Sequence, residues 1–337
     1  MFNAVAGAHA AVGIYGKPGD IHRAVVKIPD RRLDALFALI QSRNVVHAEI
    51  EYVDFPPSVK DDGHPESMFP TALRECESFV AVINCFDSTI GRSAVDRIRD
   101  LQSEMILADF VIAESRRTRQ EKDLARGGKQ NPAEIEAIKK AAAILEAERP
   151  LRSAEFSSGE LVHLSGFAFL SLKPLLVVLN TAEGAAVDAA LIEQIQSDHV
   201  LGAKTALTAL CGKVEMELAE LSPDDRAAFL ADFGITEPAT DKLIRMSYDL
   251  LDLITFFTGA EKETRAWPIK RGTTALEAAG HIHQDMKRGF IRAEVVPVRK
   301  LIELGGMAGC RKTAAVRLEG KEYVVADGDF IFFRFNV

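Results

Sequence analysis

Residues 175–184 read LLVVLNTAEG, five apolar residues followed by Asn180, two small residues, Glu183 and a glycine. A continuous apolar run of this kind predicts a buried strand of a parallel sheet, because helices cover both faces of such a sheet. In an open α/β sheet, ligands bind outside the carboxyl ends of the strands. The two polar side chains that follow the run are therefore predicted to lie where a ligand would bind.

The rest of the chain alternates strand and helix patterns around this run. Further strand patterns lie at 24–30, 47–55 and 78–86, with residues 199–208 as one more candidate, and helical patterns separate them. Strands that alternate with helices indicate a largely parallel sheet. The fold class predicted from these patterns is α/β.

Residues 92–149 interrupt the alternation with an almost continuous helical pattern. It breaks only at GGKQNP (127–132), where glycines favour the end of one helix and Pro132 favours the start of the next. The pattern predicts an inserted helical hairpin. Basic residues near its turn, including Arg116 and Arg117, are either a nucleic-acid contact or an ordinary solvated helix face.

The character of the sequence changes again at about residue 254. Strand patterns, including KEYVVADGD (321–329), surround one main helix, which predicts a separate small α+β domain. Within it, KRGFIR (287–292) places Lys287, Arg288 and Arg292 around an aromatic residue, a composition typical of RNA-contacting surfaces. A solvated turn is the alternative interpretation.

Net charge, cysteine spacing and hydropathy argue against several classes of protein. The 337 residues carry a net charge of -8, which argues against non-specific coating of nucleic acid. The four cysteines are far apart, as expected for reduced thiols rather than disulfides or a zinc site. No apolar stretch reaches the roughly 18–20 residues of a membrane span, and the amino terminus lacks the basic segment of a signal peptide. We therefore expect a cytoplasmic protein without a membrane partner.

Asn180 and Glu183 resemble a degenerate base-reading motif. P-loop GTPases read guanine with Asn-Lys-x-Asp after a strand, whereas this chain has Thr181 and Glu183 in place of the lysine and the aspartate. VDFPP (53–57) falls where Asp-x-x-Gly would contact Mg²⁺ and the γ-phosphate, and LCGKVE (210–215) falls where a loop would close over the base. Each signal is weak alone, but together they occur in the expected order.

On these segments, the chain resembles the YchF/Obg-like ATPases, a branch of the P-loop NTPases. The resemblance is strongest in ITFFTGAEKETRAWPIKRGTTALEAAGHIHQDMKRGFIRAEVV (254–296) and GKEYVVADGDFIFFRFNV (320–337). The other matching stretches are VVKIPDRRLDAL (25–36), INCFDSTI (83–90) and LKPLLVVLNTAE (172–183).

The resemblance implies a Rossmann-like P-loop NTPase sheet of the G-domain type, an inserted helical hairpin and a C-terminal α+β TGS domain, which is ubiquitin-like. The implied domains are a nucleotide-binding domain at 1–91 and 150–253, the hairpin at 92–149 and the TGS domain at 254–337.

The resemblance also implies a site and partners. Asn180, Thr181 and Glu183 would line an adenine pocket, and its other side would be closed by Leu210, Cys211 and Gly212. Asp54 would hold Mg²⁺. The implied ligands are ATP, accepted as well as or better than GTP, with Mg²⁺. The implied partner is the ribosome or its RNA, in translation or in stress regulation.

The chain departs from the family on the phosphate side. It contains no G-x-x-x-x-G-K-[ST] sequence, Pro57 replaces the glycine of Asp-x-x-Gly, and GKPGDIHRAVVKIPDRRLD (16–34) has no threonine for Mg²⁺. The opening MFNAV matches the helix that follows the P-loop in the family.

Two alternatives follow from these departures. Either Met1 is an internal start and about 15–20 further residues precede it, or the protein is a pseudo-NTPase that acts as a non-enzymatic RNA- or ribosome-binding module. In both cases we expect weak or absent hydrolysis.

Overall fold

The computed structural model describes residues 1–7, 21–55, 69, 71–86, 93–127, 131–185, 189–197, 202–232 and 237–336. These residues form two compact units. Unit 1 comprises Met1–His22 and Val53–Thr240, and unit 2 comprises Arg23–Tyr52 and Asp241–Val337. Residues 23–52, predicted from sequence to be part of the nucleotide-binding domain, thus make their contacts with the C-terminal part of the chain.

The secondary structure alternates helices and strands over most of the chain. The described helices are α1 (Phe2–Ala6), α2 (Arg31–Ile40), α3 (Thr71–Glu75), α4 (Ala94–Ala125), α5 (Pro132–Glu146), α6 (Ser158–Leu164), α7 (Ala189–Ser197), α8 (Gly212–Glu220), α9 (Pro223–Asp232), α10 (Ala239–Leu250), α11 (Ala275–Ile282), α12 (Gln284–Arg288), α13 (Val298–Glu303) and α14 (Met307–Lys312). The described strands are β1 (His22–Lys27), β2 (Asn44–Val46), β3 (Glu49–Asp54), β4 (Phe79–Asn84), β5 (Leu175–Asn180), β6 (Thr205–Leu210), β7 (Leu253–Gly259), β8 (Glu263–Lys270), β9 (Phe290–Pro297), β10 (Arg317–Glu319) and β11 (Asp329–Phe335).

The centre of unit 1 is a parallel sheet in the order β4-β5-β6. The predicted buried strand is confirmed: Leu175–Leu179 of β5 are all buried. Parallel neighbours require crossover connections, which here contain α4 and α5 between β4 and β5, and α7 between β5 and β6. Ile98 of α4 and Ile195 of α7 pack with the sheet side chains in one buried cluster.

The helical hairpin consists of α4 and α5, both inside the predicted segment 92–149. α4 begins with a capping box formed by Ser93 and Asp96, and α5 begins with Pro132 at a position that needs no backbone donor. The two helices pack through small side chains, among them the fully buried Ala113, Ala137 and Ala141. Small residues allow the close approach of two helix backbones. Residues 128–130 of the predicted turn lie outside the described residues.

Unit 2 is built on a six-stranded mixed sheet in the order β10-β9-β11-β7-β8-β2. One face packs against α11 through Ala275, Ala278 and Ala279, in a core with Phe256 and other sheet residues. On the opposite face, α2 packs against β7 and β8, and α13 packs against β9 and β11. The predicted α+β character of the C-terminal part is therefore present.

One strand prediction in unit 2 differs from the structure, and one strand of its sheet was not predicted. KEYVVADGD (321–329) is mostly turns, with Val324 in one isolated bridge to Thr274, because the backbone bends so that Ala326 donates to the Asp329 carboxylate. The short β2 pairs in parallel with β8, Val45 opposite Thr264, and this places part of 23–52 in the C-terminal sheet.

Among the described helices, none combines the length and the apolar character of a bilayer-spanning segment.

Candidate functional site

Three neighbouring strands of unit 1 end at one edge of the sheet. The register places Asn84 of β4 opposite Asn180 of β5, and Asn180 opposite Leu210 of β6. Because the strands are parallel, their carboxyl ends and the segments that follow meet at this edge. The structure thus brings together the predicted base-side residues, which we call the base edge: Asn180, Thr181, Glu183, Leu210, Cys211 and Gly212.

The Asn180 side chain is fixed by the chain that follows β6. Its Oδ1 accepts a hydrogen bond from the Gly212 backbone N–H at 2.9 Å, and the Thr181 N–H donates to the Leu210 carbonyl at 3.0 Å. A Cβ on residue 212 would lie 3.1 Å from Asn180 Oδ1, so glycine permits this close approach. The contact orients the amide, with its Oδ1 occupied by the Gly212 N–H.

Glu183 forms an ion pair across the same edge. Its Oε2 accepts from Lys213 Nζ at 2.7 Å, and both side chains are more than half exposed. The hydrogen bond and the charge of Lys213 lower the pKa of Glu183 below its ordinary value. Glu183 is therefore an ionised acceptor at neutral pH.

Lys213 controls the ionisation of Glu183, which gives a first prediction. We expect Lys213→Met to raise the pKa of Glu183 back toward the ordinary glutamate value, because the hydrogen bond and the nearby positive charge are both lost. The measurement is a pH titration of the Glu183 carboxyl carbon by NMR. Glu217→Gln is the control, since its contact with Lys213 is 4.0 Å long. An unchanged Glu183 titration in Lys213→Met would contradict the assignment.

The sequence did not single out two contributors to the base edge. Lys213 lies within the predicted loop LCGKVE (210–215) but was not named among the pocket residues, and it pairs with Glu183. The Asn84 side chain accepts a hydrogen bond from the Phe86 N–H at 3.0 Å, which shapes the chain after β4. The sequence pointed to both regions, because Asn84 lies near the end of the predicted strand 78–86 and Lys213 lies in the predicted loop 210–215. Their contacts, however, join positions that only the sheet brings together.

The metal side of the predicted site is not assembled in the described residues. Asp54 lies at the end of β3, and Pro57 lies outside the described residues. Across the described ranges, no group of three or more His, Cys, Asp and Glu side chains could hold a metal ion. Because Mg²⁺ at nucleotide sites is held by one or two carboxylates together with phosphate oxygens, Asp54 as a Mg²⁺ ligand stays a prediction.

Three of the five predicted RNA-contacting cations form ion pairs within their own unit. Arg116 pairs with Glu134 at 2.5 Å, Arg117 pairs with Glu114 at 2.7 Å, and Arg288 pairs with Asp285. Ion pairs within one unit reduce the positive potential that a phosphate would meet. Lys287 lies on α12, and Arg292 lies directly opposite Arg334 in the β9–β11 pairing.

A cavity of about 680 Å³ in unit 1 lies away from the base edge. Its lining includes Gly202 and Ala203, which precede the first residue of β6, and residues of α4 such as Gln102. The cavity is therefore at the amino end of β6, opposite the edge that carries Asn180 and Leu210. It does not contribute to the base edge.

Comparison with known proteins identifies the family. The chain is 37% identical over 349 residues to "Ribosome-binding ATPase YchF" of Bacillus subtilis (strain 168), an alignment that covers 100% of this chain and 95% of that protein. The chain belongs to the YchF family. A relative of the same name from Pasteurella multocida (strain Pm70) is 34% identical over 322 residues, covering 93% of this chain and 88% of the relative.

Family and structural comparisons agree with this assignment. The family model YchF-GTPase_C, described as "Protein of unknown function (DUF933)", matches residues 253–336. The structure of the Schizosaccharomyces pombe YchF GTPase superposes with a TM-score of 0.80 at 21% identity, covering 99% of this chain and 93% of that one. The predicted family and fold class are therefore confirmed: the α/β fold is that of a YchF protein, with a YchF-type C-terminal domain.

Proposed function

We propose that this YchF-family protein binds a purine nucleotide at the base edge, with ATP preferred to GTP, and associates with the ribosome. The observation that carries the proposal is the Asn180 side chain, held by the Gly212 N–H at 2.9 Å, with an ionised Glu183 three residues further on. The relatives are named ribosome-binding ATPases, and these names support both parts of the proposal.

The donor and acceptor pattern of the base edge suits adenine. Because Oδ1 of Asn180 accepts from Gly212, its Nδ2 group can donate to N7 of a purine. Adenine then presents an amino group at C6, whereas guanine presents an oxygen acceptor there. A carboxylate such as Glu183 can accept from an amino group but repels an oxygen. Electrostatics therefore favour adenine if Glu183 faces that edge of the base.

Truncating Asn180 provides the test of nucleotide binding. We expect Asn180→Ala to weaken binding of a fluorescent ATP analogue about 10- to 100-fold, because the base loses a donor and the Gly212 N–H loses its acceptor. Asn131→Ala is the matched control. It removes the asparagine that caps α5, at about 1 kcal/mol, and leaves the base edge intact. Equal affinities in the two variants would refute the assigned site.

The second candidate function is a non-enzymatic RNA- or ribosome-binding module. It is favoured by the sequence, which lacks G-x-x-x-x-G-K-[ST], and therefore the backbone amides and the lysine that hold nucleotide phosphates. On either proposal we expect weak or absent hydrolysis by this chain. Ribosome co-sedimentation without measurable ATP-analogue binding would favour the module, whereas binding that depends on Asn180 would favour the nucleotide-binding function.

A further inference from the structure

We propose that the cavity at the amino end of β6 binds a small phosphomonoester that carries hydroxyl groups, the chemistry of a sugar phosphate. The cavity has a volume of about 680 Å³, and all of its lining residues belong to unit 1. We call it the arginine cleft, after Arg99 of α4 and Arg149, which follows α5. Its occupation depends neither on nucleotide binding at the base edge nor on ribosome association.

The lining of the arginine cleft is part buried and part exposed. Gln102, Ile106 and Pro150 are its buried members, whereas Arg99 and Arg149 are exposed. Sites for small molecules commonly have volumes of roughly 300–1,000 Å³ and combine apolar contacts with a few charged or polar groups. The cleft has both the size and the mixed lining of such a site.

A buried guanidinium group lies behind this lining. Arg152 is 2% exposed, and its Nη2 donates to Oε1 of Gln102 at 2.5 Å. It also donates to Thr205 Oγ1 at 3.2 Å and to the Ser171 carbonyl at 3.3 Å. Among the described residues, no carboxylate forms an ion pair with Arg152. Burial lowers the pKa of Arg152 to about 10, which leaves it protonated at neutral pH, so its charge contacts only neutral acceptors.

The carboxylate that acts on Arg152 from a distance is already engaged by other donors. The charge of Asp109 raises the pKa of Arg152, but this carboxylate accepts hydrogen bonds from Arg74 and from two backbone N–H groups. A buried cation without a direct counter-ion costs free energy. An anion in the cleft, on the other side of Gln102, would offset part of that cost.

The exposed lining adds two guanidinium groups and one carboxylate. Arg99, Arg149 and Glu148 all line the cleft. Asp96 approaches Arg99 only to 3.8 Å, and both of these side chains are about half exposed, so the pair neutralises little charge. A phosphomonoester carries a charge of about −1.5 to −2 at neutral pH, and its oxygens suit the planar fork of arginine. The positive excess around the cleft therefore complements a phosphate group.

Glu148 occupies a backbone position that favours glycine. Its φ is 55°, in the left-handed region. Its N–H donates to the Leu145 carbonyl at 3.0 Å, and the N–H of Arg149 donates to the Ile144 carbonyl at 3.1 Å. This pair of bonds ends helices at a residue that is usually glycine, because a side chain there strains the backbone. A carboxylate at this position suggests a ligand contact, and carboxylates accept hydrogen bonds from hydroxyl groups.

A sugar phosphate uses both features of the cleft at once. Its phosphate can accept from Arg99 and Arg149, and its hydroxyl groups can donate to Glu148. Inorganic phosphate makes only the first set of contacts, and a neutral sugar makes only the second. We therefore expect a sugar phosphate to bind more tightly than either of its parts.

Isothermal titration calorimetry of the full chain with glucose 6-phosphate tests the site. We expect Arg99→Gln and Arg149→Gln each to weaken binding about 10- to 100-fold, because each removes a charge-assisted hydrogen bond. Inorganic phosphate and glucose, titrated separately into the native chain, should each bind at least about tenfold more weakly than glucose 6-phosphate.

Glu148→Gly separates the ligand contact from a structural role. We expect this variant to weaken binding of glucose 6-phosphate but not of inorganic phosphate, because only the hydroxyl contact is lost. Its melting temperature should rise, since glycine relieves the left-handed strain at this helix end. Weaker ligand binding by a more stable protein cannot result from damage to the fold.

Arg119→Gln is the matched control. Arg119 also lies on α4, is exposed and has a long contact, 4.0 Å, with an acidic residue of its own helix, Asp123, but it does not line the cleft. We expect affinity for glucose 6-phosphate to stay within about twofold, because salt screens a distant surface charge. Asn180→Ala should also leave this affinity unchanged, since Asn180 lies at the opposite end of the sheet.

Three results would overturn the inference: no binding of glucose 6-phosphate by the native chain, equal weakening by Arg119→Gln and Arg149→Gln, or inorganic phosphate that binds as tightly as glucose 6-phosphate. Binding that is lost in Asn180→Ala and retained in Arg149→Gln would place the ligand at the base edge, so the cleft would fail while the proposed nucleotide site stands. If Arg149→Gln alone abolishes sugar phosphate binding and ATP-analogue binding is absent, the cleft stands and the nucleotide site fails.

Discussion

Replacing Asp109 with alanine is expected to reduce the stability of unit 1 by about 3–5 kcal/mol, the usual cost of breaking a buried charged pair. Asp109 lies in the middle of α4 and is completely buried. Its carboxylate accepts from the backbone N–H groups of Leu170 and Ser171, at 2.9 and 2.6 Å, and from Arg74 at 3.1 Å. Alanine would leave the N–H groups of Leu170 and Ser171 without this acceptor, whereas Arg74 keeps its hydrogen bond to the Ala168 carbonyl at 3.3 Å.

Hydrogen exchange is the most direct measurement of this effect. We expect the amides of Leu170 and Ser171 to lose protection in Asp109→Ala, because they donate to its carboxylate just before β5 begins. The thermal midpoint of unit 1 should fall by roughly 6–20 °C. Since β5 carries Asn180 at its far end, loosening this turn is also expected to weaken nucleotide binding.

Two further variants make the Asp109 prediction specific. Asp109→Asn has nearly the same shape, but its amino group cannot accept one of the three donors, so we expect an intermediate loss of stability. Glu104→Ala removes a carboxylate from an exposed position of the same helix and should have little effect. A similar loss in Glu104→Ala and Asp109→Ala would show that the buried contacts are not responsible.

Replacing Arg32 with methionine is expected to destabilise unit 2 by about 2–3 kcal/mol, since a half-buried bidentate ion pair is lost. Arg32 donates to Asp30, which caps α2, and to Asp327 at 2.6 Å. Asp327 in turn accepts from the Thr255 N–H at 2.9 Å at the start of β7. One guanidinium group thus links α2 to the C-terminal sheet through these hydrogen bonds. Methionine can replace the packing of the arginine side chain but not its hydrogen bonds.

The single tryptophan makes this loss measurable. Trp267 lies on β8 in unit 2, so its fluorescence during urea unfolding reports on that unit. Arg32→Lys should recover little stability, because an ammonium group cannot bridge two carboxylates in the planar geometry of a guanidinium. Arg31→Met changes the exposed neighbouring arginine and serves as the control. The prediction fails if the urea midpoints of Arg31→Met and Arg32→Met coincide.

Local sequence patterns determined the elements that lie near the base edge. Three features could be predicted from the sequence alone: the apolar run of β5, the proline that starts α5 and the polar residues after β5. Burial on both faces, helix capping and strand ends each leave a local pattern in the sequence. The family resemblance added the order of the segments, and the relatives confirm the family. The roles of Asn180 and Glu183 remain predictions until nucleotide binding is measured.

Which side chains pair with each other could not be predicted from the sequence patterns. The sequence shows Arg116, Arg117 and Arg288 only as cations, whereas the structure pairs each with a carboxylate in its own unit. Conversely, Arg334 and Phe332 showed no special pattern until the sheet placed them beside Arg292 and Glu294. Whether a cation is available to a partner depends on which carboxylates the fold brings near it.

The sequence by itself determined the family, the helical hairpin, the buried strand β5 and the α+β character of the C-terminal part, because periodicity, capping and burial act over short stretches of chain. Only the tertiary structure decided that residues 23–52 belong with unit 2, that Asn180 is fixed by Gly212, and that Arg334 lies opposite Arg292 on neighbouring strands. These features depend on hydrogen bonds and ion pairs between residues as much as 295 positions apart, as between Arg32 and Asp327. No local pattern encodes such a contact, because its partners meet only when strands and helices pack.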